Sequence, residues 1–117
     1  MALFYDVRAL YDKHSNKEEH VVEELIVYVE QMSKRLDKMK KHIDAKNYEK
    51  LQKHVTILQP IVEILGMDQA SEEFNGVQEW IAQKGKTKEI KEVYKSLRKH
   101  LRSAVKEIKK DYQITVE

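Results

Sequence analysis

Only one proline and three glycines interrupt the 117 residues, and apolar side chains recur at three- and four-residue steps along nearly the whole length. So few breaks leave few places for the chain to turn, and no stretch shows the strict alternation of a half-buried strand, so the sequence reads as helices throughout. Leu3, Val7, Leu10 and Tyr11 predict a short first helix. Ser15 and Glu18 form an S-x-x-E capping box for the next. Its apolar stripe, Val22, Leu25, Val29, Met32, Leu36, Met39 and Ile43, runs to about residue 45, either as one long helix or as two with Ser33 capping the second.

Asn47 is the expected N-cap of a third main segment, whose seam Leu51, Val55, Leu58, Val62 and Leu65 leads to a stop at Gly66. Asp68 is the expected cap of the following helix, with Ala70, Phe74, Val77 and Ile81 as its buried stripe and Gly85 as its end. Thr87 then caps a last helix carrying Ile90, Tyr94, Leu97, Leu101, Ala104 and Ile108. Short connections set amphipathic neighbours antiparallel. The expected fold is therefore all-α, an antiparallel up-and-down four-helix bundle with a short extra N-terminal helix, forming a single domain over residues 1–117.

Composition narrows the function. Cysteine is absent, which removes thiol catalysis, disulfide frameworks and zinc–cysteine sites. Hydrophobic residues are 41% and charged residues 36%, and no apolar run approaches the roughly 20 residues of a membrane span. The opening MALFYDVRAL lacks a basic stretch followed by an apolar one, so no secretory leader is expected and a cytoplasmic location is. Charge is uneven: residues 60–83 hold five acids and no Lys or Arg, whereas residues 84–110 hold eleven bases and three acids. No phosphate-binding glycine loop or nucleic-acid module accompanies the basic stretch, so it reads as a solvated helix face and no nucleic-acid partner is expected. His14, His20, His42 and His100 are scattered, and no Glu-x-x-His pair supports a metal centre. Neither a cofactor nor a metal is expected. Paired carboxylates and nucleophile–base combinations are likewise missing at useful spacing, so no enzyme active site is expected. Trp80 and the tyrosines read as core or bundle-end residues.

The segment NYEKLQKHVTILQPIVEILGMDQASEEFNGVQEWIAQKG resembles the central two helices of histidine phosphotransfer (HPt) domains, the small bundles that relay phosphoryl groups in bacterial two-component signalling. The likeness is one of layout. A polar cap and an aromatic, Asn47-Tyr48, precede a helix that runs to a Leu65-Gly66-Met67 stop, and a second helix ending in glycine follows. A tyrosine-containing short first helix, an apolar helix passing through Tyr28-Val29-Glu30-Gln31 and a long charged last helix extend it over roughly residues 3–112. Counting back from the stop, the resemblance sets Thr56 where the family has its phosphoryl-accepting histidine, Gln59 where it has lysine, and Pro60 where it has a small glycine or serine.

These departures carry the functional expectation. A histidine phosphoramidate is labile enough to pass its phosphoryl group to a receiver aspartate, whereas a threonine phosphoester is too stable to do so. Gln59 offers only an amide where a lysine would meet phosphoryl oxygens with positive charge. Pro60 has no N–H for the carbonyl of residue 56 and crowds it. On a helical wheel Thr56, Gln59, Pro60 and Glu63 lie away from the core seam. Ile57, Ile61 and Ile64 widen the apolar arc and are expected to be buried; Ile57 or Ile64, left exposed beside Thr56, would form the kind of patch that docks a receiver in this family. His54, rotated by about 200° from Thr56, is expected to be a partly buried structural histidine.

The resemblance thus implies a pseudo-phosphotransfer module that binds a response-regulator receiver or a histidine kinase through Gln52, Lys53, Thr56, Ile57, Gln59, Pro60 and Glu63. Two alternatives stay open: a phosphocarrier that uses another histidine, and a helical interaction bundle unrelated to signalling. The sequence leaves the oligomeric state undetermined.

Overall fold

A computed structural model describes residues 3–115. Five helices follow one another: α1 (Arg8–Lys13), α2 (Glu18–Asp44), α3 (Tyr48–Ile64), α4 (Asp68–Ala82) and α5 (Thr87–Tyr112), with no strand among the described residues. The four long helices pack in cyclic order, α2 against α3, α3 against α4, α4 against α5 and α5 back against α2. α2 is one uninterrupted helix of 27 residues, so Ser33 starts nothing new. At about 1.5 Å per residue it spans about 40 Å, close to the 44 Å long axis of the molecule.

α3 and α4, with 17 and 15 residues, are too short to cover α2 and α5 along their whole length. The N-terminal segment fills the difference. α1 packs on α2 and buries Leu10 completely. Ahead of it, the Asp6 N–H donates to the carbonyl of Leu65 at 2.7 Å, and the Tyr5 hydroxyl donates to Asp111 at 2.7 Å. Leu3, expected in α1, instead precedes it and is exposed.

The core follows the anticipated stripes, with local corrections. Leu25, Val29, Met32, Leu36, Met39 and Ile43 are buried on α2, but Val21 rather than Val22 begins the row. On α4, Trp80 is buried and Ile81 is only half-buried. Every seam residue predicted for α3 and α5 is buried.

The turns show how the chain stops its helices. Asn47 caps α3, accepting the Lys50 N–H at 3.2 Å. Gly66 closes α3 at φ 61°, its N–H donating to Glu63 and the Met67 N–H to Val62, the Schellman arrangement that satisfies orphaned carbonyls. The same pair of bonds ends α2 around Lys46 and α4 around Lys84, at φ 52° and 48°, without glycine. Gly85 therefore does not supply the left-handed residue that ends α4. Its role is space: a Cβ there would lie 2.3 Å from Cδ1 of Trp80.

The expected Ser15–Glu18 box does not form. Ser15 and Asn16 both adopt left-handed backbone after α1, and Lys17 precedes the first residue of α2 with no side-chain cap. Asp68 and Thr87 are the first residues of their helices rather than caps. The Thr87 hydroxyl donates to the carbonyl of Ile43 at 3.3 Å, tying the start of α5 to the end of α2.

Candidate functional site

α3 lies between α2 and α4, so its seam residues face inward and two flanks meet the neighbours, leaving one outward strip. The α4 flank is polar. Gln59 Nε2 donates to Asn75 Oδ1 at 2.8 Å, and Gln78 Nε2 donates to Gln59 Oε1, so the Gln59 side chain bridges the two helices. On the α2 flank, Arg35 Nη1 lies 2.9 Å from Nδ1 of His54, and the His54 and His42 rings stack at 5.3 Å. His54 is buried, in line with a structural role. Its pKa is pushed down to about 4, mainly because burial disfavours the charged ring, with the nearby Arg35, His42 and Lys38 adding to the effect.

The outward strip carries Lys53, Thr56, Ile57, Pro60 and Glu63, all exposed, with Gln52 and Gln59 half-buried at its edge toward α4. Thr56 donates its hydroxyl to the Gln52 carbonyl at 2.9 Å and accepts from Gln52 Nε2 at 3.1 Å. The helix continues through Pro60 to Ile64 without interruption. Pro60 faces solvent, so the Thr56 carbonyl that it deprives of a donor lies on the side where water can replace it.

Ile57 corrects an expectation: it is 38% exposed rather than buried. Ile61 is buried and Ile64 half-buried. The difference between Ile57 and Ile61 follows their positions on the wheel. Ile57 is rotated about 120° from the seam, beyond the arc that α2 covers, whereas Ile61 lies about 40° closer to it.

Val27, on α2, is a second exposed apolar residue. The three-residue turn between α2 and α3 makes residues equally far from position 46 level with one another, so Val27 is level with Leu65, toward the far end of α3 from the turn. It is 49% exposed, on the outer side of α2. Its signal was available: it falls out of step with Leu25 and Val29 inside a continuous apolar run. Exposed Lys34 and Lys38 lie on the same outer side of α2, level with the stretch between His54 and Leu58. Asn75 and Gln78, which hold Gln59, carried no comparable signal.

Away from this face, His100 Nδ1 is 2.7 Å from the carboxylate of Glu73, which is only 7% exposed. Glu24 accepts from Lys13 at 2.7 Å and lies 3.0 Å from His14 Nε2. No three His, Asp or Glu side chains among the described residues are grouped to hold a metal ion. Among the described residues, no helix is long and apolar enough to cross a membrane. Comparisons with protein-family models, curated proteins and solved structures give no match to this chain.

Proposed function

We propose that the chain is a pseudo-phosphotransfer module of HPt type, an up-and-down four-helix bundle that docks a response-regulator receiver or a histidine kinase on the outward strip of α3 without carrying a phosphoryl group there. The observation that carries this reading is the pairing of two exposed neighbours: Thr56 stands out from mid-α3 with Ile57, 38% exposed, beside it. An apolar contact next to a residue at the acceptor position is what a receiver would need to dock. Lys34, Lys38 and Lys53 put positive charge around it, complementary to the aspartate of a receiver.

Chemistry at the acceptor position supports binding without transfer. Thr56 offers a hydroxyl already engaged with Gln52, and no basic side chain is hydrogen-bonded to activate it. His54 is no substitute, because its ring is buried and Nδ1 is occupied by Arg35.

The test is titration of the chain against a panel of phosphorylated receivers and histidine kinases, with acid-labile phosphate followed on the chain in the same samples. Saturable binding without label, weakened at least tenfold by Ile57→Asp, is the expected result. Binding that Ile57→Asp leaves unchanged, or absence of binding across the panel, overturns the reading. Acid-labile label on the wild-type chain favours the carrier alternative. His100 is then the first residue to replace, since Glu73 already orients one of its ring nitrogens and leaves Nε2 as the acceptor.

A further inference from the structure

Along α5, Lys91, Lys95, Arg98, Arg102, Lys106 and Lys109 succeed one another at steps of four, three, four, four and three residues. That average step matches the helical repeat, so the six bases form a straight stripe about 27 Å long. The stripe runs beside α2, across the molecule from the α3–α4 seam. Two hollows lie under it. One of about 480 Å³ has Ile43, Thr87 and Tyr94 in its walls together with Lys91, Lys95 and Arg98. The other, of about 300 Å³, has Ser33, Leu36 and Val105 together with Arg102, Lys106 and Lys109. Each base of the stripe thus borders one of the two hollows.

The charge is poorly compensated. Arg98 and Arg102 share a single carboxylate, Asp37, at 3.4 and 3.7 Å, and Asp37 itself is 71% exposed. Asp44 is paired with Lys40 on its own helix. Lys91, Lys95, Lys106 and Lys109 make no ion pair among the described residues. Arg98 has a further deficit, since its Nε is buried without a hydrogen-bond partner. The outer part of the guanidinium, held only by the long contact to Asp37, is what a second carboxylate can reach.

We propose that the α2–α5 seam binds an acidic helical segment of a partner protein, with carboxylates repeating every three to four residues along about five turns. A helix laid along the seam presents its charges at the same pitch as the stripe, and the hollows accept small apolar side chains between them. Nucleic acid fits less well. Single strands are held largely by stacking on exposed aromatic rings, and the aromatic of this seam, Tyr94, is buried with its hydroxyl donated to the Leu36 carbonyl. A duplex reader sets its bases on a helix that projects into the groove, whereas these line a hollow between two packed helices. This site is independent of the α3 face, so a chain holding both partners bridges them.

The probe is a labelled 20-residue helical peptide with Glu at every third or fourth position on one face. A peptide of the same composition with Glu spread around the helix, a single-stranded oligonucleotide, a duplex and anionic lipid vesicles serve as competitors. Affinity is measured for the wild type, for Lys91→Glu/Lys95→Glu/Lys106→Glu, and for Lys84→Glu/Lys99→Glu/Lys110→Glu, whose changes lie outward of the stripe, in the α4–α5 turn and on the outer side of α5, with the same change in net charge. Circular dichroism establishes that both variants are folded, and a Lys91→Gln/Lys95→Gln/Lys106→Gln version replaces the first if it is not. The expected result is salt-dependent binding of the patterned peptide, about tenfold weaker for the scrambled peptide and for the stripe variant, and changed less than about twofold by the outward variant. Equal loss in both variants, equal affinity for the scrambled peptide, tighter binding of an oligonucleotide or vesicles, or no binding of the patterned peptide at low salt each overturns the proposal.

Discussion

The guanidinium of Arg35 fixes the state of the His54 ring. Nη1 lies 2.9 Å from Nδ1, and because a guanidinium only donates, Nδ1 accepts and the neutral ring carries its proton on Nε2. Burial holds the pKa near 4, below the ordinary 6.5. The unfolded chain therefore binds a proton at His54 between pH 6.5 and 4 while the folded chain does not. Stability from this group is unaffected above pH 6.5 and falls progressively as pH drops through that window. His54→Gln removes the linkage. Thermal melts from pH 7.5 to 4.5 are expected to show the wild type losing stability relative to His54→Gln as pH falls, and a constant difference between the two would refute this.

Lys46 and Lys84 make the second prediction. Both occupy the left-handed position that closes a Schellman turn, at φ 52° and 48°, a conformation in which a Cβ is crowded by backbone. Gly66 fills the equivalent place after α3 without that cost. Lys46→Gly and Lys84→Gly are each expected to raise stability by up to about 1 kcal/mol, less the extra chain entropy glycine brings to the unfolded state. Gly85→Ala has the opposite sign. Its methyl would meet the buried Trp80 ring, whose Nε1 donates to the Lys86 carbonyl at 2.8 Å. Overpacking of this kind costs about 1–3 kcal/mol, readable as a lower denaturation midpoint with unchanged slope.

Those turns also mark where sequence reading succeeds and where it stops. The seam from Leu51 to Leu65 was legible because a helix buried on one side must repeat near 3.6 residues, and Asn47 and Gly66 were legible because their chemistry suits few other places. Ser15 met the same rule and failed it, since the turn after α1 is closed by two left-handed residues that no local pattern announces. Gly85 follows α4 as a helix-ending glycine would, but its need is for space, because Trp80 folds back over it. At the candidate site, wheel geometry found Thr56, Pro60 and Glu63 exposed. It did not say how far α2 wraps round α3, and that distance separates Ile57 from Ile61.

Pro60 sits within α3, solvent-exposed, in a helix that continues past it. A proline in a helix interior costs about 3 kcal/mol relative to alanine, through the missing N–H and the crowded carbonyl four residues earlier. Exposure to water relieves part of this, and the stiffer unfolded chain offsets about another 0.4–1 kcal/mol. Pro60→Ala is expected to stabilise the protein by about 1–2 kcal/mol in chemical denaturation. If it instead destabilises, Pro60 makes a packing contribution that its exposed position does not suggest.

Thr56 provides the sharpest test of the proposed ancestry of the site. If this turn is a phosphotransfer site that has lost its acceptor, restoring the histidine should restore the chemistry. Thr56 is exposed, and its side-chain hydrogen bonds are confined to Gln52 on the same helix, so Thr56→His breaks no hydrogen bond to another helix. In such a variant the phosphoryl group of a receiver aspartyl phosphate moves to an imidazole nitrogen as the P–O bond to the aspartate carboxylate breaks and an N–P bond forms. Gln59→Lys adds the positive charge that would meet the phosphoryl oxygens, at the expense of the bonds to Asn75 and Gln78. Thr56→His is therefore expected to acquire acid-labile phosphate from a receiver the wild type binds, and the double variant to do so faster. A folded Thr56→His chain that binds that phosphorylated receiver and remains unlabelled would mean that the face docks partners in a geometry unrelated to phosphoryl transfer.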